Sequence, residues 1–75
     1  MKIKFSRHAK RRARLYKLSL SAIENILKKK NLPSGKHEII QEVPDQKFPV
    51  KIVVSVENDT MVVITNYPLK KRRKQ

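Results

Sequence analysis

Two stretches rich in Val and Ile, Phe48–Glu57 and Thr60–Tyr67, are separated only by Asn58-Asp59. This feature restricts the fold most. Asn and Asp both tolerate positive φ, which the tight turns of antiparallel hairpins require. The spacing predicts a hairpin and sets its register: Val56 opposite Met61, Val54 opposite Val63, Ile52 opposite Thr65 and Val50 opposite Tyr67. Side chains alternate across a strand. One face then carries Val50, Ile52, Val54, Val56, Met61, Val63, Thr65 and Tyr67 and is the expected core face. The other carries Lys51, Val53, Ser55, Val62, Ile64 and Asn66. Half of it is apolar, more than a solvated face needs, which suggests partial cover or a partner surface.

The N-terminal half reads differently. Lys2–Phe5 alternates polar and apolar residues, as a short edge strand would. Ser6 can cap a helix from Arg7 to Leu15, in which Ala9, Ala13 and Tyr16 recur at helical spacing. Ser19 can cap a second helix, with Leu18 and Ile23 placed as a hydrophobic staple, and Ser21 with Glu24 offers an alternative capping box. Leu20, Ile23, Ile26 and Leu27 form its apolar stripe. Lys28, Lys29 and Lys30 suit its last turn, where positive charge complements the helix dipole. Asn31 and Pro33 end it. Pro33-Ser34-Gly35 is a turn, His37–Val43 reads as a strand that Pro44-Asp45-Gln46 breaks, and Pro68 ends the sheet. The expected fold class is α+β: two N-terminal helices packed on a three- to four-stranded antiparallel sheet. With 75 residues, residues 1–69 are read as one domain and 70–75 as a basic C-terminal tail. A domain of this size buries only about 60% of the surface its unfolded chain exposes.

Charge decides which functions to consider. The chain carries 19 Lys and Arg against 6 Asp and Glu, a formal net charge of +13. Such a field attracts polyanions and speeds their association. RNA or DNA is the first candidate, because phosphate contacts supply most non-specific affinity. An acidic protein is second and an anionic membrane surface third. There is no cysteine and only one glycine, which excludes a disulfide scaffold, a Cys-type metal site and a Gly-rich phosphate loop. The acids are scattered, with no carboxylate pair near a histidine to hold Mg²⁺. No metal and no cofactor are expected. No apolar h-region follows the basic N-terminus, and the runs Ile52–Val56 and Met61–Ile64 are far shorter than the ~20 residues of a spanning helix. The expectation is a cytoplasmic chain with no membrane role.

If the chain does chemistry, His8 and Arg12 carry it. Four residues apart on one helix, they lie on the same face. RNA can be cleaved without metal, because its own 2′-OH attacks the adjacent phosphorus. The protein need only move protons and stabilise the charged phosphorane. An imidazole, with an ordinary pKa of about 6.5, can act as acid or base, and an arginine fork matches phosphate oxygens. The same pair also suits a solvated, structural helix face. His37, which opens a strand, reads as structural or exposed. The run Lys70–Lys74 reads equally as a solvated terminus or a phosphate-binding tail.

The pattern Phe5-Ser6-x-His8-Ala9-x-x-Arg12, a helix opening Leu18-Ser19, and the ending Val63-Ile64-Thr65-Asn66-Tyr67-Pro68 resemble a small prokaryotic domain-of-unknown-function family. Its members typically read F-[ST]-x-H-A-x-x-R-x-x-x-R-G-[IL]-S near the start and V-x-T-x-Y-P near the end. The resemblance covers about residues 3–72. That family looks related to the RelE and BrnT toxins, within the barnase–EndoU–colicin–RelE group of metal-independent ribonucleases. The resemblance implies an α+β fold, RNA cleavage and an acidic antitoxin-like partner. Carried over by position, His8, Arg12, Thr65 and Tyr67 are the matching polar residues. Tyr16 stands where the pattern has its second arginine and Lys17 where it has glycine.

Three readings follow. In the first, a toxin-like ribonuclease, His8 is acid or base, and Arg12, helped by Arg11 or Arg14, holds the phosphate. Tyr67 or Thr65 positions substrate or His8, and Lys70, Lys71 and Arg72 add backbone contacts. In the second, the chain is a non-catalytic RNA- or DNA-binding module. In the third, it is a basic protein-interaction domain that docks an acidic partner through its basic surface or through Val53, Val62 and Ile64.

Overall fold

A computed structural model describes residues 2–43 and 46–69 of the chain. They form β1 (Lys2–Phe5), α1 (Arg7–Leu15), α2 (Leu20–Lys28), β2 (Gly35–Gln41), β3 (Val50–Glu57) and β4 (Thr60–Pro68). Pro44 and Asp45 of the expected break, and the basic tail from Lys70, lie outside the described residues. The fold is α+β, with both helices contributing to one core on one face of a four-stranded sheet ordered β1-β4-β3-β2.

The sheet is mixed, which corrects the expectation of an antiparallel one. β2 with β3 and β3 with β4 are antiparallel. β1 runs parallel to β4, from Lys2 beside Thr60 to Phe5 beside Val63. Parallel neighbours need a long connection, and here two helices and two strands supply it.

The hairpin turns as its sequence demands: Asn58 and Asp59 have φ of 48° and 64°, the left-handed pair of a type I′ turn. The expected register holds from Val56–Met61 to Val54–Val63 and then slips. Ile64 is an extra residue, a β-bulge. Beyond it Val53 faces Thr65, Ile52 faces Asn66 and Lys51 faces Tyr67. One inserted residue inverts every later side chain. Thr65 and Tyr67 therefore do not face the core as expected; Asn66 does, with 0% exposure.

Ser6 shows what holds the bulge. β1 ends beside Val63, so β4 loses its strand neighbour there, and Ser6 takes over. Its amide donates to the Val63 carbonyl at 3.0 Å, and its hydroxyl donates to the Ile64 carbonyl at 2.8 Å. The same Oγ accepts from the Ala9 amide at 2.9 Å, capping α1. One side chain thus ends a strand, starts a helix and anchors the bulge.

α1 buries only Ala9 and Ala13, and these small side chains let its backbone lie close over β4. Asn66 Nδ2 donates to the Ala9 carbonyl across that interface at 3.4 Å. Its Oδ1 is buried and has no partner among the described residues, at a cost on the order of 1–3 kcal/mol. The helix closes in a Schellman motif: the Leu18 amide donates to the Ala13 carbonyl at 2.8 Å and the Lys17 amide to the Arg14 carbonyl at 3.2 Å. Lys17 is left-handed, with φ of 57°.

α2 is capped by Ser19, whose Oγ accepts from the Ala22 amide at 3.2 Å, so the Ser21 alternative is not used. Ile23 and Leu27 of α2 join Ile52, Met61, Val50, Val54 and Val63 as fully buried core residues. β2 begins at Gly35 and ends at Gln41, two residues earlier at each end than its sequence suggested.

Two stability changes follow. Ser6→Ala removes the cap and the bulge anchor together and should cost about 2 kcal/mol. Lys17→Gly relieves the left-handed lysine and should stabilise by roughly 0.5–1 kcal/mol after the entropy of the unfolded glycine is counted. Urea unfolding midpoints measure both.

Candidate functional site

α1 owes its place to its two alanines, and its other residues are exposed except the half-buried Arg12. Its charged residues are Arg7, Lys10, Arg11, Arg12 and Arg14, with no acid in the helix. Like charges at i and i+4 repel, so this helix persists because it is packed and capped at both ends, not because of its own propensity. It presents a dense, one-signed field.

His8 sits in the first turn, exposed. Among the described residues it makes no hydrogen bond or ion pair. Arg12 is half-buried, and its Nη1 donates to the Tyr16 hydroxyl at 3.3 Å. That bond aims the guanidinium and leaves its other N–H groups available. Tyr16, which stands at the pattern's second arginine, here orients the first. Arg11 and Arg14 are exposed on the same helix.

Thr65 and Tyr67 are elsewhere. The bulge puts them on the sheet face opposite α1, and no hydrogen bond joins either to His8. Tyr67 is cross-strand from Lys51. Lys51 Nζ lies 3.1 Å from Glu38 Oε1. The hydrogen bond and charge of Glu38 raise the Lys51 pKa above the ordinary lysine range; Tyr67 adds to this, and slight burial opposes it. Glu38 is exposed and Lys51 half-buried, so solvent still screens the pair and it contributes little to stability. Lys70, Lys71 and Arg72 lie outside the described residues.

His37 has a structural partner: its Nε2 lies 2.8 Å from the Pro33 carbonyl and, since a carbonyl only accepts, carries the proton. Among the described residues no three His, Asp or Glu side chains gather as a metal site would need, and no helix is long and apolar enough to cross a membrane.

Two features of this surface escaped the sequence reading. The Arg12–Tyr16 bond was visible as an i, i+4 spacing. The Lys51–Glu38 pair required the β2–β3 register, which has no local signature. Comparison with protein-family models, curated proteins and solved structures finds no match.

A raised folded-state pKa means that the Lys51 contribution is complete below the unfolded lysine pKa and is lost as pH rises through the folded one. In an NMR titration, the Lys51 side chain should therefore deprotonate above the ordinary lysine pKa of about 10.4. Glu38→Gln should remove most of that difference.

Proposed function

We propose that the chain binds RNA along α1 and cleaves it without a metal. The carrying observation is an exposed imidazole on a helix whose every charged side chain is a cation. The resemblance of residues 5–12 and 63–68 to the RelE- and BrnT-related family supports the same reading. On that resemblance the chain is the toxin-like half of a pair acting in the cytoplasm, with an acidic antitoxin-like partner.

In the cleavage step the substrate's 2′-OH attacks the adjacent phosphorus, and the bond to the 5′-oxygen breaks. His8 takes the 2′-OH proton or supplies one to the leaving 5′-oxygen. Arg12, aimed by Tyr16, neutralises the phosphorane, with Arg11 or Arg14 on the flanking phosphates. Lys70, Lys71 and Arg72 would add charge for further backbone phosphates. The products are a 2′,3′-cyclic phosphate and a 5′-OH. Thr65 and Tyr67, on the other face, are left out of this step.

One observation favours a second reading, binding without cleavage. Acid–base histidines are usually oriented by a further group, and His8 has none among the described residues.

Incubation with mixed RNA in EDTA separates the two. Cleavage to cyclic-phosphate ends that falls at least 100-fold in His8→Ala and in Arg12→Ala, with folding intact, supports the ribonuclease. Tyr16→Phe should lower the rate less than Arg12→Ala does. Absence of cleavage, with salt-steep RNA retention by all variants, establishes the binding module instead.

A further inference from the structure

The face of the sheet turned away from the helices is uncovered by any described residue. Its rows follow from the strand register. Lys4, Val62, Ser55 and Lys36 form one, running from β1 to β2. Thr65, Val53 and Glu38 form the next, with Ile64 of the bulge beside Thr65, and Tyr67, Lys51 and Ile40 the last. Val53, Val62 and Ile64 are half-buried only by their strand neighbours, and none of them joins the core. Ile40 is 61% exposed. The result is an aliphatic centre with Lys4 on one side and Lys36 on the other, while Lys51 at the third edge is already paired with Glu38 of the same face.

We infer that this face docks an acidic amphipathic helix of another protein, its apolar stripe on Val53, Val62 and Ile64 and its carboxylates toward Lys4 and Lys36. Sheets with one apolar face normally bury it under a helix layer. The charge on the rim selects an acidic occupant and opposes a second copy of a chain carrying +13. The centre is aliphatic, and Tyr67 is the one aromatic ring on the face. Single-stranded RNA binds on rows of aromatic platforms, so the composition favours a protein. The inference does not depend on the RNA reading, because α1 lies across the other face.

The test uses a fluorescein-labelled peptide of about 16 residues with Leu and Glu at helical spacing, long enough for about four turns. A control peptide has Gln for each Leu. The full-length protein should bind the Leu peptide roughly tenfold or more tighter than the control at physiological salt. Methyl shifts should centre on Val53, Val62 and Ile64. Val62→Thr with Ile64→Thr keeps β-branching and hairpin structure and should erase that preference. Lys4→Glu should weaken both peptides. Equal binding of Leu and Gln peptides, or a preference that survives the threonines, overturns the inference. So do methyl shifts at these residues on adding an oligoribonucleotide alone, or on concentrating the protein alone, which would hand the face to RNA or to a second copy.

Discussion

The hydrogen bond from the Ser6 hydroxyl to the Ile64 carbonyl, 2.8 Å long, is the junction on which the rest depends. It fixes where β1 stops, where α1 starts and where β4 inverts. Without the extra residue at Ile64, strict alternation would drive Thr65 and Tyr67 under α1 and turn Asn66 outward. A tyrosine ring could not lie where Ala9 and Ala13 bring the helix down onto the sheet. With the bulge, the smaller Asn66 occupies that space and reaches Ala9. The orphaned Asn66 carbonyl oxygen is a cost of this arrangement. The Ser6 bonds and the close seating of α1 offset it.

Much of this fold could be read from local signals. Both helix caps, the limits of α1, the Asn58-Asp59 turn and the core face up to Val63 all follow from chemistry within a few residues of each position. The bulge could not. Ile64-Thr65 has ordinary strand composition, and what makes it bulge is Ser6, which is far away in sequence. The parallel seat of β1 on β4 was hidden for the same reason. The site divides along the same line. His8 and Arg12 share a helix face because spacing says so, whereas Thr65 and Tyr67 were carried to the wrong face by a single missed residue. Tyr16 was legible as a neighbour of Arg12 but was read as core and as a replaced arginine, not as the group that holds Arg12.

The charge on α1 sets a physical constraint that links fold to use. Five cations in nine residues raise the energy of the helix at low salt, and tertiary packing through two alanines is a modest counterweight. A polyanion along the helix would relieve that repulsion as it binds, so the helix and its ligand stabilise each other. A merely soluble domain has no need of such a one-signed helix.

The sheet separates two surfaces of different character. One is the cationic helix layer, given to RNA in the proposed function. The other is an aliphatic patch flanked by Lys4 and Lys36, given to an acidic helix. They meet at the bulge: the Ile64 side chain belongs to the patch, while its carbonyl holds Ser6 and, through Ser6, the first turn of α1 that carries His8. A partner that shifted β4 at the bulge would act on the helix start through that bond. Any coupling between the two surfaces thus has one hydrogen-bonded route through Ile64 and Ser6 and another through Asn66, which joins Thr65 and Tyr67 to the Ala9 carbonyl.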